Sequence, residues 1–256
     1  MLNNPEGKTV HRRCDWSANQ LDGDLSHKFT IVLVSDSPKE RVRNAARPVK
    51  LEEKYFNPDP DLPYGLEIEH IGQAMKDFNQ WLGIINVSLV SSDLERLEDI
   101  AMPANMSSIV GEFMHNRIPK YCTGIVQNDF HNGHPDMIPT GMYEEDSVQH
   151  GDHGIEVKAS RYRGGWQGHN AENCWLMVFH YDSNSPNEPE PIRPFSLDGV
   201  FIAELEEDDW SFAGRGEGSR RTITASVLAS GRDRMIENYV YDREQTSDQS
   251  QLSIDI

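Results

Sequence analysis

The most informative stretch of the sequence is Gly154-Ile155-Glu156-Val157-Lys158-Ala159-Ser160, in which apolar and charged side chains alternate. Successive side chains of a β-strand point to opposite faces, which predicts Ile155, Val157 and Ala159 on one face and Glu156 and Lys158 on the other. A carboxylate and an ammonium would then lie about 7 Å apart along one strand. The same alternation also occurs on ordinary solvated strand faces, so the pair alone leaves a purely structural role open.

A second stretch lies upstream and reads His131-Asn132-Gly133-His134-Pro135-Asp136-Met137-Ile138. Asp136 begins a predicted strand over 136–142, and a hairpin between 136–142 and 154–160 would bring Asp136 beside Glu156. Carboxylate oxygens are the ligands that Mg²⁺ prefers, and the metal polarises a phosphate and lowers the pKa of a water. A nearby ammonium can orient that water or stabilise charge on phosphorus. The pattern therefore indicates metal-dependent hydrolysis of a phosphodiester.

The Pro135-Asp136 pair, followed by Glu156-Val157-Lys158, resembles the motif of the PD-(D/E)XK nuclease superfamily. The resemblance is best over residues 104–181 and implies the restriction-endonuclease-like fold, in which helices flank a mixed central sheet. It implies that Asp136 and Glu156 bind Mg²⁺, for which Mn²⁺ can substitute, and that Lys158 acts on the attacking water. The insert over 143–153 is longer than in the tightest versions of the motif.

The same resemblance assigns two further catalytic residues. Many members of the superfamily add a metal-binding glutamate from the helix before the sheet, and Glu112 lies 24 residues before Asp136. Some members place a glutamine after the lysine, and Gln167, nine residues after Lys158, is a weaker match. A helix-surface role for Glu112 and a loop role for Gln167 stay open beside these assignments.

Within the superfamily the chain is most similar to type II restriction endonucleases, which implies Mg²⁺-dependent cleavage of double-stranded DNA by a homodimer. Arg161 and Arg163 follow the charged strand, and Arg220 and Arg221 flank a glycine-rich turn, so these four are predicted to contact phosphates. Two alternatives remain open. One is a repair, junction-resolving or mobile-element nuclease of the same fold, and the other is an inactive fold member that acts as a binding protein.

Histidine pairs offer a third alternative, a zinc hydrolase. His131 with His134, and His150 with His153, form two H-x-x-H pairs that flank the predicted hairpin. Histidine is a common zinc ligand, and Asp136 could complete such a site. Both pairs lie in glycine- and aspartate-rich loops, where histidine is also an ordinary solvated residue, and no H-E-x-x-H helix or cysteine pair supports zinc.

The net charge argues at first against a nucleic-acid partner. The chain has 24 basic and 42 acidic residues and a formal charge of −18, which repels anionic polymers. The acid excess is uneven, because residues 1–50 carry 9 basic and 6 acidic groups whereas residues 51–100 carry 3 and 11. With carboxylates assigned to Mg²⁺ and arginines close to the charged strand, we expect a basic cleft in an acidic shell.

The pattern along the chain predicts an α/β or α+β fold. Helices are predicted over about 66–82 and 104–117, with a short helix between them that begins at a capping box of Ser92 and Glu95. Short β-like runs follow residue 119. We expect a mostly helical N-terminal region over 1–100, for dimerisation or DNA recognition, a nuclease core over 101–245 and a polar tail over 246–256. No membrane-length apolar run or signal peptide is visible, which favours a cytoplasmic protein without a membrane partner.

Overall fold

The computed structural model of the chain describes residues 37–168, 173–212 and 225–245. Within these ranges the helices are α1 (Pro38–Ala45), α2 (Ile68–Ser91), α3 (Leu97–Ile100), α4 (Pro103–Arg117) and α5 (Ala229–Glu237). The strands are β1 (Ile125–Gln127), β2 (Met137–Pro139), β3 (Ile155–Ser160), β4 (Gln167–Gly168), β5 (Cys174–Asp182), β6 (Ser196–Leu205), β7 (Trp210–Phe212), β8 (Ala225–Val227) and β9 (Tyr239–Asp242). Residues 1–36 of the predicted N-terminal region and the predicted tail over 246–256 lie outside the described residues.

The central sheet has six strands in the order β1-β2-β3-β5-β6-β9. β3 and β5 run parallel, whereas the other neighbouring pairs are antiparallel, so the sheet is mixed. A second sheet has three strands in the order β4-β8-β7. The mixed sheet and its helices confirm the α+β class, while the restriction-endonuclease-like fold remains a prediction.

Two hydrophobic clusters cover the two faces of the central sheet, and the alternation along β3 and β5 assigns side chains to them. Ile155 and Val157 of β3 join the larger cluster, to which the buried faces of α2 and α4 also belong. Leu176 and Val178 of β5 join the smaller cluster. Because Glu156 pairs with Leu176 in register, its side chain projects to the face opposite α4. The predicted separation of apolar and charged faces is therefore confirmed.

Several local predictions need correction. The first predicted helix continues to Ser91, and Ser92 ends it rather than starting the next one, since its hydroxyl donates to the carbonyl of Ser88 at 3.1 Å. The predicted capping box is therefore wrong. Helix α4 confirms the prediction over 104–117, whereas α1 and α5 were not predicted. Gln167 lies in β4 and not in a loop.

The larger hydrophobic cluster contains residues from both sides of position 100, from Leu66 in the N-terminal region to Tyr241 in β9. The sheet, α2 and α4 therefore share one core, and within it α4 packs against β3. Within the described residues, none of the helices combines the length and apolar character that a bilayer crossing requires.

Candidate active site

Asp136 lies just before β2 begins, beside the part of β3 that extends past its pairing with β2. The two strands are joined in register at Met137 and Ile155, and beyond that position the Val157 amide donates to Asp136 Oδ2 at 2.8 Å. Gly154 makes the approach of the two strands possible. It has a φ of +147°, and a Cβ at this position would overlap the carbonyl of Met137. The Asp136 carboxylate thus accepts the hydrogen bond that a backbone carbonyl of β2 would accept if the two strands stayed paired.

Glu156 is buried and has a charged or polar partner on each carboxylate oxygen. The ammonium of Lys158 donates to Oε1, and Nδ1 of His134 lies 2.9 Å from Oε2. The side chains of His134 and Lys158 are themselves only partly exposed. The structure therefore joins Glu156 and Lys158 directly, as one charge pair on the face opposite α4.

The pKa values of this pair move in the directions expected of a buried ion pair. Burial is the largest influence on Glu156 and raises its pKa, but the hydrogen bond from His134 and the charge of Lys158 outweigh it and lower the pKa to about 2. Burial also lowers the pKa of Lys158, yet the charges of Glu156 and Asp136 prevail and raise it. Glu156 is thus ionised and Lys158 protonated at neutral pH.

Acid sensitivity follows from the depressed pKa of Glu156. Its stabilising contribution is present above the unfolded value of 4.5 and is lost as the pH falls through about 2. We expect Glu156→Gln to remove this loss, which is on the order of 1–3 kcal/mol. Urea denaturation of both proteins from pH 6 down to about pH 2 measures it. Parallel stability curves would show that the contacts of Glu156 do not favour its ionised form.

Helix α4 contributes a second chain of contacts, from the face of the sheet that it covers. Nε2 of His115 lies 3.0 Å from Glu112 Oε2, and its Nδ1 lies 3.5 Å from Asp136 Oδ1. Burial, the largest influence, lowers the pKa of His115, but Asp136 and Glu112 together raise it above its ordinary value. Glu112, which is exposed, is therefore linked to Asp136 through an imidazole rather than by direct contact.

The predicted arginines contact other parts of the chain, and Gln167 faces solvent. Arg161 donates to Glu188 Oε2 at 2.7 Å and to the carbonyl of Ser183 at 3.1 Å. Arg163 donates to both oxygens of Asp242 at 2.6 Å. Gln167 is exposed and makes no hydrogen bond to Glu156 or Lys158 among the described residues. Phosphate would have to compete with these carboxylates for either arginine, and both DNA-contact roles remain predictions.

Arg220 and Arg221 lie outside the described residues, so their predicted phosphate contacts cannot be placed in the structure.

The Mg²⁺ that the resemblance implies fits the chemistry of these donors. Asp136 and Glu156 offer anionic oxygens on either side of the β3 edge, and Mg²⁺ is commonly held by one or two carboxylates while it keeps several waters. The imidazole of His115 contacts Asp136, and the imidazole of His134 contacts Glu156. A cation bound by these carboxylates would replace the two imidazole contacts. Within the described residues, no three His, Cys, Asp or Glu side chains are grouped to hold a metal.

The histidines of the zinc alternative are dispersed. His134 faces Glu156, whereas His131, His150 and His153 are exposed. The strand-like bridge between His134 and His150 joins backbone atoms and does not group imidazoles. Among the described residues, the two H-x-x-H pairs therefore form no three-ligand zinc site.

The sequence did not predict that His115 would contact Asp136 or that His134 would contact Glu156. The spacing of Glu112 and His115 on a predicted helix is a signal that could have found the first, since residues three apart are neighbours on a helix surface. His134 was considered only as a zinc ligand, although it lies two residues before Asp136. Its contact with Glu156 arises from the path of the loop, for which the sequence carries no periodic signal.

Comparison of the chain with protein-family models, curated proteins and solved structures found no match. A functional assignment therefore rests on the residues around β3 and on their geometry.

Proposed function

We propose that the protein is a Mg²⁺-dependent endodeoxyribonuclease that hydrolyses phosphodiester bonds of double-stranded DNA, most like a type II restriction endonuclease. The observation that carries the proposal is that Asp136 accepts a hydrogen bond from the Val157 amide of β3, while Glu156 and Lys158, the neighbours of Val157 on that strand, form an ion pair. Two carboxylates and one ammonium are the groups that such hydrolysis requires. Glu112, linked to Asp136 through His115, supplies a third carboxylate at the periphery.

The protonation states suggest a role for each side chain. Lys158 has a raised pKa, so at neutral pH it donates hydrogen bonds and does not accept a proton. In this role it orients the attacking water or stabilises the charge that develops on the phosphate. Asp136 and Glu156 hold the metal, which supplies charge neutralisation and a water of lowered pKa when it is bound. Exposed Glu112 would be a further, peripheral ligand of the metal.

Double-strand cleavage supports a homodimer in this proposal, because one site cuts one strand. The global charge of −18 makes binding to DNA depend on local cations and on the bound metal. Mn²⁺ has the same ligand preferences and is expected to substitute for Mg²⁺.

We expect the purified chain to nick and linearise supercoiled plasmid in Mg²⁺ or Mn²⁺, and to be inactive in EDTA. Agarose gels of a time course measure the conversion. Discrete fragments would favour a restriction enzyme, whereas a continuous smear would favour a repair, junction-resolving or mobile-element nuclease. Absence of cleavage across a metal and salt series would leave the inactive binding protein as the better function, and activity with zinc alone would support the zinc hydrolase.

A further inference from the structure

A groove of about 580 Å³ runs along the solvent side of α4, between this helix and α2. Its floor is aromatic and aliphatic, with Trp81 from α2 beside Ile109 and Phe113 from α4. The rings of Trp81 and Phe113 lie 5.3 Å apart at 39° to one another, and both remain partly exposed. A volume of this size suits a small ligand or one segment of a polymer.

The end of the groove near the C-terminus of α4 is basic. Lys120 is exposed there and makes no ion pair with any carboxylate among the described residues. Arg117 also lines the groove, although its guanidinium is paired with Asp77. The groove therefore presents flat apolar rings together with an available cation, which complements a ligand that has a flat body and a negative charge.

A second cavity differs from the groove in the charge of its lining. It has a volume of about 500 Å³ and is lined by five carboxylates and one guanidinium, from Asp59, Asp61, Glu204, Glu206, Glu237 and Arg234. An anionic ligand is excluded there by repulsion, as the overall charge of the protein would suggest. The groove along α4 departs from that pattern.

One residue, Glu112, links the groove to the candidate active site. Glu112 lines the groove, and its carboxylate contacts His115, which in turn contacts Asp136. The groove thus shares Glu112 with the α4 side of the candidate site, whereas Glu156 and Lys158 lie on the opposite face of the sheet.

We propose that this groove binds an unstacked base of a single-stranded DNA segment, with the base against Trp81 and Phe113 and the adjacent phosphate on Lys120. The proposal deepens the nuclease function and rests on it for the position of the strand. Aromatic side chains stack on any base, and one lysine holds one phosphate, so binding is expected to tolerate many sequences. The substrate class that follows is a duplex with an unpaired or locally opened strand next to the cleaved bond.

Binding can be measured separately from cleavage. Fluorescence anisotropy of a labelled 12-nucleotide single strand, titrated with the full chain in EDTA, gives the affinity without any metal. We expect Trp81→Leu to weaken binding about 5- to 150-fold, the usual loss for one stacked base. We expect Lys120→Glu to weaken binding and to reduce the salt dependence by about one phosphate contact.

Matched controls are available within the chain. Lys76→Glu on α2 makes the same charge change outside the groove, and Trp175→Leu removes a tryptophan that lines the acidic cavity. Both are expected to bind the single strand like wild type. Circular dichroism checks that the variants are folded, and Lys120→Glu alters an exposed side chain, so it tests the groove even if Trp81→Leu is unstable.

The outcomes separate the groove from the nuclease function. Groove-dependent binding of single strands without Mg²⁺-dependent cleavage would support the groove and overturn the nuclease. Cleavage by a protein whose groove variants bind single strands like wild type would overturn the groove alone. Equal binding by all variants, together with loss of a dimer in light scattering for Trp81→Leu and Lys120→Glu, would instead identify the groove as an interface between copies.

Discussion

Asp136→Asn is expected to lower the rate of Mg²⁺-dependent plasmid cleavage by about 10²–10⁴-fold, the usual range for loss of a group that takes part in proton transfer or charge stabilisation. The substitution suits this position because the asparagine carbonyl can still accept the hydrogen bond that the Val157 amide donates. What disappears is the negative charge that faces His115 and that would hold the metal. The edge of β3 therefore keeps its hydrogen bond while the site loses a ligand.

The other substitutions should form a graded series. Lys158→Met keeps the apolar stem but removes the ammonium, and its effect is expected to match that of Asp136→Asn. Glu112 is exposed and reaches Asp136 only through His115, so Glu112→Gln is expected to cost about 10- to 100-fold. Initial rates of supercoil loss, measured at several Mg²⁺ concentrations, give these values.

Asp152→Asn is the matched control, since Asp152 is an exposed aspartate of the same hairpin loop and contacts none of the site residues among the described residues. It should cleave at the wild-type rate. The assignment of the site fails if Asp136→Asn, Lys158→Met and Asp152→Asn all cleave alike.

The parts of the fold that were predictable are those in which the pattern is local. The alternation over 154–160 assigned Ile155 and Val157 to the core and Glu156 to the opposite face, because strand geometry depends only on the pleat. Helix α4 was predictable from the stripe that Met106, Val110 and Met114 form, since these side chains recur at helical spacing and are all buried.

The parts that were missed depend on tertiary contacts. Ser92 with Glu95 satisfies the capping pattern, but the backbone there follows directly from α2, and the serine hydroxyl bonds back to the preceding turn. His115 and His134 become partners of the carboxylates only when α4 and the loop before β2 are packed against β3. Helix α5 has few apolar residues, so its stripe was too weak to separate it from the strand that follows.

Arg96 is the side chain whose loss is expected to affect stability most. It is almost fully buried, and it donates to the carbonyls of Ala45 at 3.1 Å and Arg193 at 2.6 Å. Its guanidinium also binds both oxygens of Asp99 at 2.8 Å and lies 3.2 Å from Glu98, which is equally buried. One cation thus joins the end of α1, helix α3 and the connection between β5 and β6.

Glu98 makes this network sensitive to the loss of its cation. Burial is the largest influence on the pKa of Glu98 and raises it, against the opposing effects of the Arg96 charge and the hydrogen bond from Asn86. Without Arg96, the ionised carboxylate would be buried with no compensating charge on that side. A buried ion that loses its partner typically costs about 3–5 kcal/mol, more than most single substitutions.

We therefore expect Arg96→Met to lower the free energy of unfolding by about 3–5 kcal/mol at pH 8, as measured by urea denaturation. The pKa of Glu98 is higher in the folded state than in the unfolded chain. Its contribution to stability is therefore greatest below the unfolded value of 4.5 and is lost as the pH rises through the folded-state pKa. The deficit of Arg96→Met should hence shrink toward pH 5, and adding Glu98→Gln should remove that pH dependence. Arg232→Met, which breaks an exposed pair with Asp233, should match wild type. A pH-independent deficit would mean that the lost contacts to Ala45 and Arg193, and not the charge of Glu98, dominate the effect.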